Sequence, residues 1–243
     1  MTVPPPGRTW LAQSIGLAAA SANSILGWTA KRKRTVLLVD GEMLGSTIQE
    51  RLRAISNGMA CNIPNDGFRV LAADQTEHGI NLSTEEGQKA LMPHTKGVDL
   101  LILDSVSRLL SLRRQKTAML MVHHAGTSGR QRGTSRREDV LDTVIALRRP
   151  EDYLPEQGAR FEVHYEKLRH HFEGAQAFEA RLEDDGNAVR WRQSTVTSLP
   201  QVGADLFNEG YTVQAAANAL GISRSAAGRL RQRAAAEGLL FHP

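Results

Sequence analysis

Three short, mainly apolar runs punctuate the first half of the chain: TVLLV at 35–39, VDLLIL at 98–103 and TAMLMV at 117–122. Each is short and ends in a charged or imidazole residue, the pattern of a strand buried on both faces. Residues 68–71 predict a further short strand. Between the runs the spacing changes to that of helices. Residues 9–27 are Ala-rich with apolar positions at helical intervals and end at a glycine, and residues 44–55 place Ile48, Leu52 and Ile55 on one face. Residues 105–115 predict a basic helix, whereas 57–66, 72–83 and the Gly-, Ser- and Arg-rich 126–135 predict loops. Helix and buried strand alternate to about residue 122, which predicts a doubly wound α/β domain.

After residue 122 the pattern shifts to strands. Residues 142–147 and 160–165 predict two, and 178–182 and 188–191 flank Asp184-Asp185-Gly186-Asn187 as a hairpin. These form an antiparallel extension of the α/β core. Residues 194–200 predict a linker between a domain at 1–193 and a second at 201–243. The second carries three short helices, 201–210, 212–220 and 224–237. Gly221-Ile222-Ser223 is the turn between the last two, and Ser223 is placed to cap the third. This spacing is that of a helix-turn-helix, with Ala215, Ala216, Ala219, Leu220 and Ile222 expected to pack against Leu206 and Leu230.

Composition narrows the classes. The chain has 243 residues, 41% hydrophobic and 23% charged, an ordinary globular balance with enough chain to bury a core. Its net charge of +4 permits a nucleic-acid partner without requiring one. Most of the basic residues are arginine, suited to phosphate and base recognition. One cysteine, Cys61, excludes an intramolecular disulfide and a Cys-based zinc finger. No apolar run approaches the roughly 20 residues of a membrane span, and residues 1–8 have neither signal-peptide nor lipidation character. The expectation is a cytoplasmic protein with no membrane partner.

In a doubly wound sheet, ligands sit at the carboxyl ends of the strands. Glu42, Asp104 and His124 follow three predicted strands and are expected near one another. An apolar strand ending in Asp is the form of a Walker B element, whose carboxylate holds Mg²⁺ beside a nucleotide; Asp104 equally suits a helix N-cap. Glu42 could orient and deprotonate an attacking water. A histidine ending the third strand could sense a γ-phosphate, and the doublet His123-His124 leaves either member open. A Walker A loop aligns its last three positions with Gly7, Arg8 and Thr9, making these the candidate nucleotide-binding residues, with Thr9 and Asp104 as candidate metal ligands. Thr2 stands at the first glycine position and Arg8 at the lysine. Pro4, Pro5 and Pro6 occupy positions where main-chain N–H groups would cradle phosphate, and proline has none. Gly7 to Thr9 still offer N–H groups and a helix end to an anion.

The runs TWLAQSIGLAAASA, RTVLLVDGEM, VDLLILDSVSRL and LMVHHAGTSGRQRGTSRREDVLDTVIALRRP together resemble the RecA-like AAA family ATPases of plasmids and phages, similar to RepA-type hexameric replicative helicases. The resemblance spans roughly residues 7–192. It implies a RecA-like P-loop NTPase core, ATP and Mg²⁺ as cofactors, DNA as partner and a homo-oligomeric, hexameric ring. It assigns Glu42 as catalytic glutamate, Asp104 as Walker B aspartate and His124 as phosphate-sensing histidine. Lys167 and Arg169 match a Lys-x-Arg pair that reaches a neighbouring subunit's nucleotide. Arg130, Arg132 and Arg136 fall in a loop facing the DNA channel. The substituted phosphate loop and a shortened segment between Asp104 and Thr117 depart from the family.

The third C-terminal helix carries Arg224, Arg229, Arg231 and Arg233, with Ala226, Ala227 and Gly228 leaving a slim face for the major groove. The pattern resembles the helix-turn-helix of resolvase-like and regulator DNA-binding domains; a helical protein-interaction module is the alternative. Two functional expectations follow. One is a DNA-acting ATPase of replicative-helicase type. The other is a catalytically inactive relative that binds DNA or a partner.

Overall fold

The computed structural model describes residues 7–63, 65–75, 82, 84–104, 117–123, 141–150, 152–170, 175–196 and 199–241. The helix expected at 105–115 and the loop at 126–135 lie outside the described residues. The chain divides into two compact units, Met1–Ser194 and Thr195–Pro243.

The first unit opens with helix α1, Gly7–Ser21. It stops short of the helix expected to residue 27. Ala22 and Leu26 take left-handed φ values of 57° and 47°, and a two-stranded ribbon, β1 (Ser24–Ile25) and β2 (Trp28–Thr29), turns the chain back. Helical spacing of apolar residues carried through a tight turn whose backbone the spacing could not reveal. The parallel sheet follows: β3 (Val36–Asp40), helix α2 (Gly45–Gly58), β4 (Phe68–Ala72), helix α3 (Glu85–Leu91), β5 (Leu100–Asp104) and β6 (Ala118–Val122). Its strand order is β4-β3-β5-β6, all parallel. Helix α2 runs three residues beyond its expected end.

Alternate strand residues feed two cores, as a pleated strand requires. Val36, Leu38 and Ile102 pack with Leu17 of α1 and Ile48, Leu52 and Ile55 of α2. Leu37, Val39, Leu101 and Leu103 pack on the other face with Leu82, Leu91 and Val98. This explains the unbroken apolar runs: both faces are covered. Gly16 lets α1 approach closely, since a Cβ there would lie 2.6 Å from Ile102 Cδ1 and 2.9 Å from Phe68 Cε2.

The antiparallel extension contains β7 (Thr143–Arg148), β8 (Arg160–Leu168), β9 (Phe178–Asp184) and β10 (Val189–Thr195), in the order β10-β9-β8-β7. Leu11 and Ala18 of α1 pack against Phe161, Val163, Phe178 and Ala180 of this sheet. Trp191 donates Nε1–H to Ser14 Oγ at 3.0 Å. Helix α1 is therefore covered on two sides, which is why its apolar residues spread around it. At the β9–β10 turn, Asp185 Oδ1 accepts from the amides of Asn187 and Ala188. The close of α2 also touches β10: a Cβ on Gly58 would lie 1.8 Å from the Val189 carbonyl oxygen.

The second unit holds helices α4 (Leu199–Asn208), α5 (Val213–Leu220) and α6 (Arg224–Ala236). Thr212 caps α5 by accepting from Ala215 N–H, and Ser223 caps α6 by accepting from Ala226 N–H. Gly221 joins them at φ 64°, the left-handed conformation that favours glycine. Among the described residues the buried hydrophobic ones are Ala204, Ala216, Ala217, Ala227, Leu230 and Ala234. Ala219, expected in this core, is exposed, and Ala217 is buried instead. Gly203 admits Leu230, whose Cδ2 would be 2.6 Å from an added Cβ.

Candidate nucleotide site at the sheet edge

Strands β3 and β5 are adjacent and parallel, in a register that sets Asp40 directly beside Asp104. The four apolar residues ahead of each aspartate are locked into the cores above and below, so both carboxylates are held at the carboxyl edge of the sheet. Asp40 is 3% exposed and Asp104 is 5% exposed. Neighbouring carboxylates at such depth call for a cation.

Arg51 supplies positive charge there. It lies on α2 with Ile48, Leu52 and Ile55, on the stripe that faces the sheet, and its guanidinium sits 4.9 Å from the centre of the Trp10 ring. Burial lowers the Arg51 pKa, and attraction to Asp40 and then Asp104 opposes that loss. Asp40 also organises the following loop. Its Oδ1 accepts from the amides of Glu42 and Met43 at 2.9 and 2.8 Å, an Asx turn. The turn leaves Glu42 exposed at the edge of the site.

Arg8 lies in the first turn of α1, where its Nη1 donates to the His123 carbonyl at 3.1 Å. This bond ties the start of α1 to the end of β6. Burial lowers the Arg8 pKa, and repulsion from Arg149 lowers it further. The Arg149 guanidinium rests 4.8 Å above the Tyr153 ring. Two guanidinium groups that repel one another at a sheet edge favour an anion between or beside them. Gly7 is buried, with Phe161 Cε1 only 2.5 Å from where its Cβ would stand. Thr9 is half-buried one turn into the helix.

The remaining expected residues are distributed elsewhere. His123 is half-buried at the end of β6, and His124 lies outside the described residues. Arg130, Arg132 and Arg136 also lie outside them. Lys167 belongs to β8 opposite Val144 of β7. Arg169 follows that strand and pairs with Asp142, Nη1 to Oδ1 2.7 Å. Arg224, Arg229, Arg231 and Arg233 are all exposed on α6. Arg231 sits 5.7 Å from the Phe207 ring centre, and Arg233 pairs with Glu237 at 3.3 Å.

Sequence reasoning selected Glu42 after the first strand and passed over Asp40, the residue in register with Asp104. It also missed Arg51 and Arg149. Arg51 did leave a signal: it interrupts an apolar helix face three residues after Ile48 and one before Leu52. Arg149 left none, because its neighbour Arg8, at the start of α1, is brought to it by the fold.

Among the described residues no three His, Cys, Asp or Glu side chains cluster as a complete metal centre. The carboxylate oxygens at the sheet edge fit Mg²⁺ chemistry of another kind, in which one or two carboxylates share the ion with substrate phosphates. Among the described residues no helix is long and apolar enough to cross a membrane.

Residues 4–116 match the family model described as AAA domain. That segment takes in α1, the Asp40–Asp104 pair and Arg51, and the match supports an AAA-type ATPase. A mixed α/β unit with a four-stranded parallel sheet fits the core of an α/β NTPase. No curated protein matches the sequence.

Proposed function

We propose that this chain is a RecA-like ATPase of AAA type that acts on DNA, with ATP and Mg²⁺ engaged at the carboxyl edge of the parallel sheet. The observation that carries the reading is the buried pair Asp40–Asp104, in register on adjacent parallel strands and faced by Arg51. Asp104 and Thr9 would hold Mg²⁺, which when bound neutralises charge on the phosphates. Arg8, Arg149 and the first amides of α1 offer positive potential to the phosphate groups. Glu42, exposed on the Asx turn, is free to orient a water. Lys167 and Arg169 would serve a neighbouring subunit's site in a ring.

The phosphate side is thinner than the metal side. Three prolines stand where amide donors are needed, and each lost charge-assisted hydrogen bond costs roughly 1.5–3 kcal/mol. Two such losses weaken binding by a factor on the order of 100 or more. ATP binding is therefore expected to be weak and Mg²⁺-dependent. The bond from Arg8 to the His123 carbonyl favours the second reading, an inactive relative, because it turns the lysine-position side chain toward the protein.

Titration of the full chain with Mg²⁺-ATP, followed by calorimetry, tests the site. Weak binding that disappears in Asp104→Ala supports the ATPase. Absence of Mg²⁺-dependent binding at millimolar ATP removes it and leaves the second reading.

The DNA reading rests on α6, where four exposed arginines oppose only Asp205, Glu209 and Glu237 in the same unit. A helix-turn-helix would use Arg224, at the helix start, for base edges and Arg231 and Arg233 for phosphates. In a salt titration of duplex binding, Arg231→Ala/Arg233→Ala should flatten the slope by about one unit per lost contact. Arg224→Ala should relax sequence preference instead. A parent chain with no salt-dependent binding would make the unit an interaction module.

A further inference from the structure

Helix α6 has two faces of different chemistry. Ala227, Leu230 and Ala234 are buried and form an i, i+3, i+7 stripe that packs within the second unit. Ser225, Arg229, Gln232 and Ala236 are all exposed, at i, i+4, i+7 and i+11, so they line up as one continuous strip on another side of the helix.

The strip is slim at both ends, where Ser225 and Ala236 stand, and carries two long side chains between them. Among the described residues neither Arg229 nor Gln232 has a hydrogen-bond or ion-pair partner. The later arginines of the helix lie off the strip and are engaged. Arg231 rests 5.7 Å from the Phe207 ring centre of α4, and Arg233 pairs with Glu237 at 3.3 Å. Close to the start of the strip, the Ser225 hydroxyl is tied to the capping Ser223 at 3.0 Å.

A phosphate contact needs positive charge, which glutamine does not supply. A carboxamide instead presents a donor and an acceptor side by side, the complement of adenine N7 and N6. The arginine fork is the complement of guanine O6 and N7. Residues three apart are separated by about 4.5 Å along a helix axis, and successive base pairs by about 3.4 Å. Given the DNA-binding reading of the second unit, on which this assignment rests, we propose that Arg229 and Gln232 read neighbouring base pairs in the major groove, Arg229 a guanine and Gln232 an adenine. They extend the reading along α6 from Arg224, and neither depends on nucleotide binding by the first unit.

The test exposes the full chain to a pool of random-sequence DNA duplexes and sequences those that bind. The parent should select a motif holding guanine and adenine in neighbouring base pairs. Arg229→Gln should replace that guanine by adenine, Gln232→Arg should replace that adenine by guanine, and Gln232→Glu should turn the same position to cytosine. At each altered position the relative affinity for the two bases should move by roughly tenfold or more, with the other positions unchanged. Arginine, glutamine and glutamate are good helix formers, and both sites are exposed, so thermal unfolding of the variants should match the parent. A parent that binds duplex in a salt-dependent way but selects no such motif overturns the assignment and leaves DNA binding intact. So do variants that lower affinity for all sequences alike, which marks backbone contact. Absence of salt-dependent duplex binding by the parent removes the DNA reading itself, and the assignment with it.

Discussion

The two sheets of the first unit solve the same folding problem in opposite ways. In the central strands β3 and β5 of the parallel sheet, charge is excluded from the interiors and gathers at one end, where Asp40 and Asp104 are buried side by side. In the antiparallel sheet, charge runs along the strands: Arg160 meets Glu179 and Asp152, Arg192 meets Glu183, and Arg148 meets Glu166. The antiparallel sheet has one covered face, so polar side chains can pair on the other. The parallel sheet has two covered faces at its centre, so the polar residues of β3 and β5 are those at their carboxyl ends. Carboxylate chemistry is thereby concentrated at one edge, and the neighbouring sheet serves as a packed wall for α1.

The sharpest way to break this contrast is at the centre of the parallel sheet. Ile102 is fully buried beneath α1, and Ile102→Ala should destabilise the first unit by about 2–5 kcal/mol. Urea unfolding followed by far-ultraviolet dichroism measures it. A loss comparable to that of an exposed substitution would mean the core closes up around the missing atoms.

The strongest charge arrangement of the antiparallel sheet is expected to matter less. Arg160 donates Nε–H and Nη2–H to Glu179, each at 2.8 Å, and its pKa is raised by that bond first and by Asp152 as well. Arg160→Met should cost roughly 1–3 kcal/mol in the same urea assay, chiefly by leaving Glu179 without its fork of donors. A loss equal to that of Ile102→Ala would erase the distinction between the sheets.

Smaller still is the effect expected for Arg51, whose aliphatic stem methionine replaces. Arg51→Met should lower stability by about 0.5–1 kcal/mol through the lost contact with Trp10. It should change Mg²⁺-ATP affinity by a larger factor than stability, because Asp40 and Asp104 lose their shared cation. Equal changes in both would reduce Arg51 to packing.

The smallest effect belongs to Asp185. Its carboxyl is held below the usual range, first by the Ala188 amide, then by the Asn187 amide and Arg190. The sign follows from the lowered value: its contribution is present above the ordinary carboxylate pKa and is lost as pH falls through the lowered one. Asp185→Ala should thus cost little at neutral pH, and the gap to the parent should close in acid. A gap that widens on acidification would show that the turn does not depend on the charged carboxylate.

What the chain determined by itself is tied to local pattern. The apolar runs at 35–39, 98–103 and 117–122 predict strands covered on both faces; each forms a strand of the parallel sheet, β3 and β5 are covered so, and β6 at the sheet's end is only partly buried. The hairpin at 184–187 and the cap at Ser223 were equally legible, because an Asp or Ser side chain bonds its own neighbours within three residues. The ribbon after Ser21 was not, since the left-handed backbone at Ala22 and Leu26 leaves no mark in side-chain spacing. The site divides the same way. Asp104 could be picked out because it ends an apolar run, but the choice between Asp40 and Glu42 needed the strand register. The surroundings of Arg51 and Arg149 depend on segments far apart in sequence being brought together. Only the tertiary structure decided them, because a charge acquires its role from what is placed opposite it.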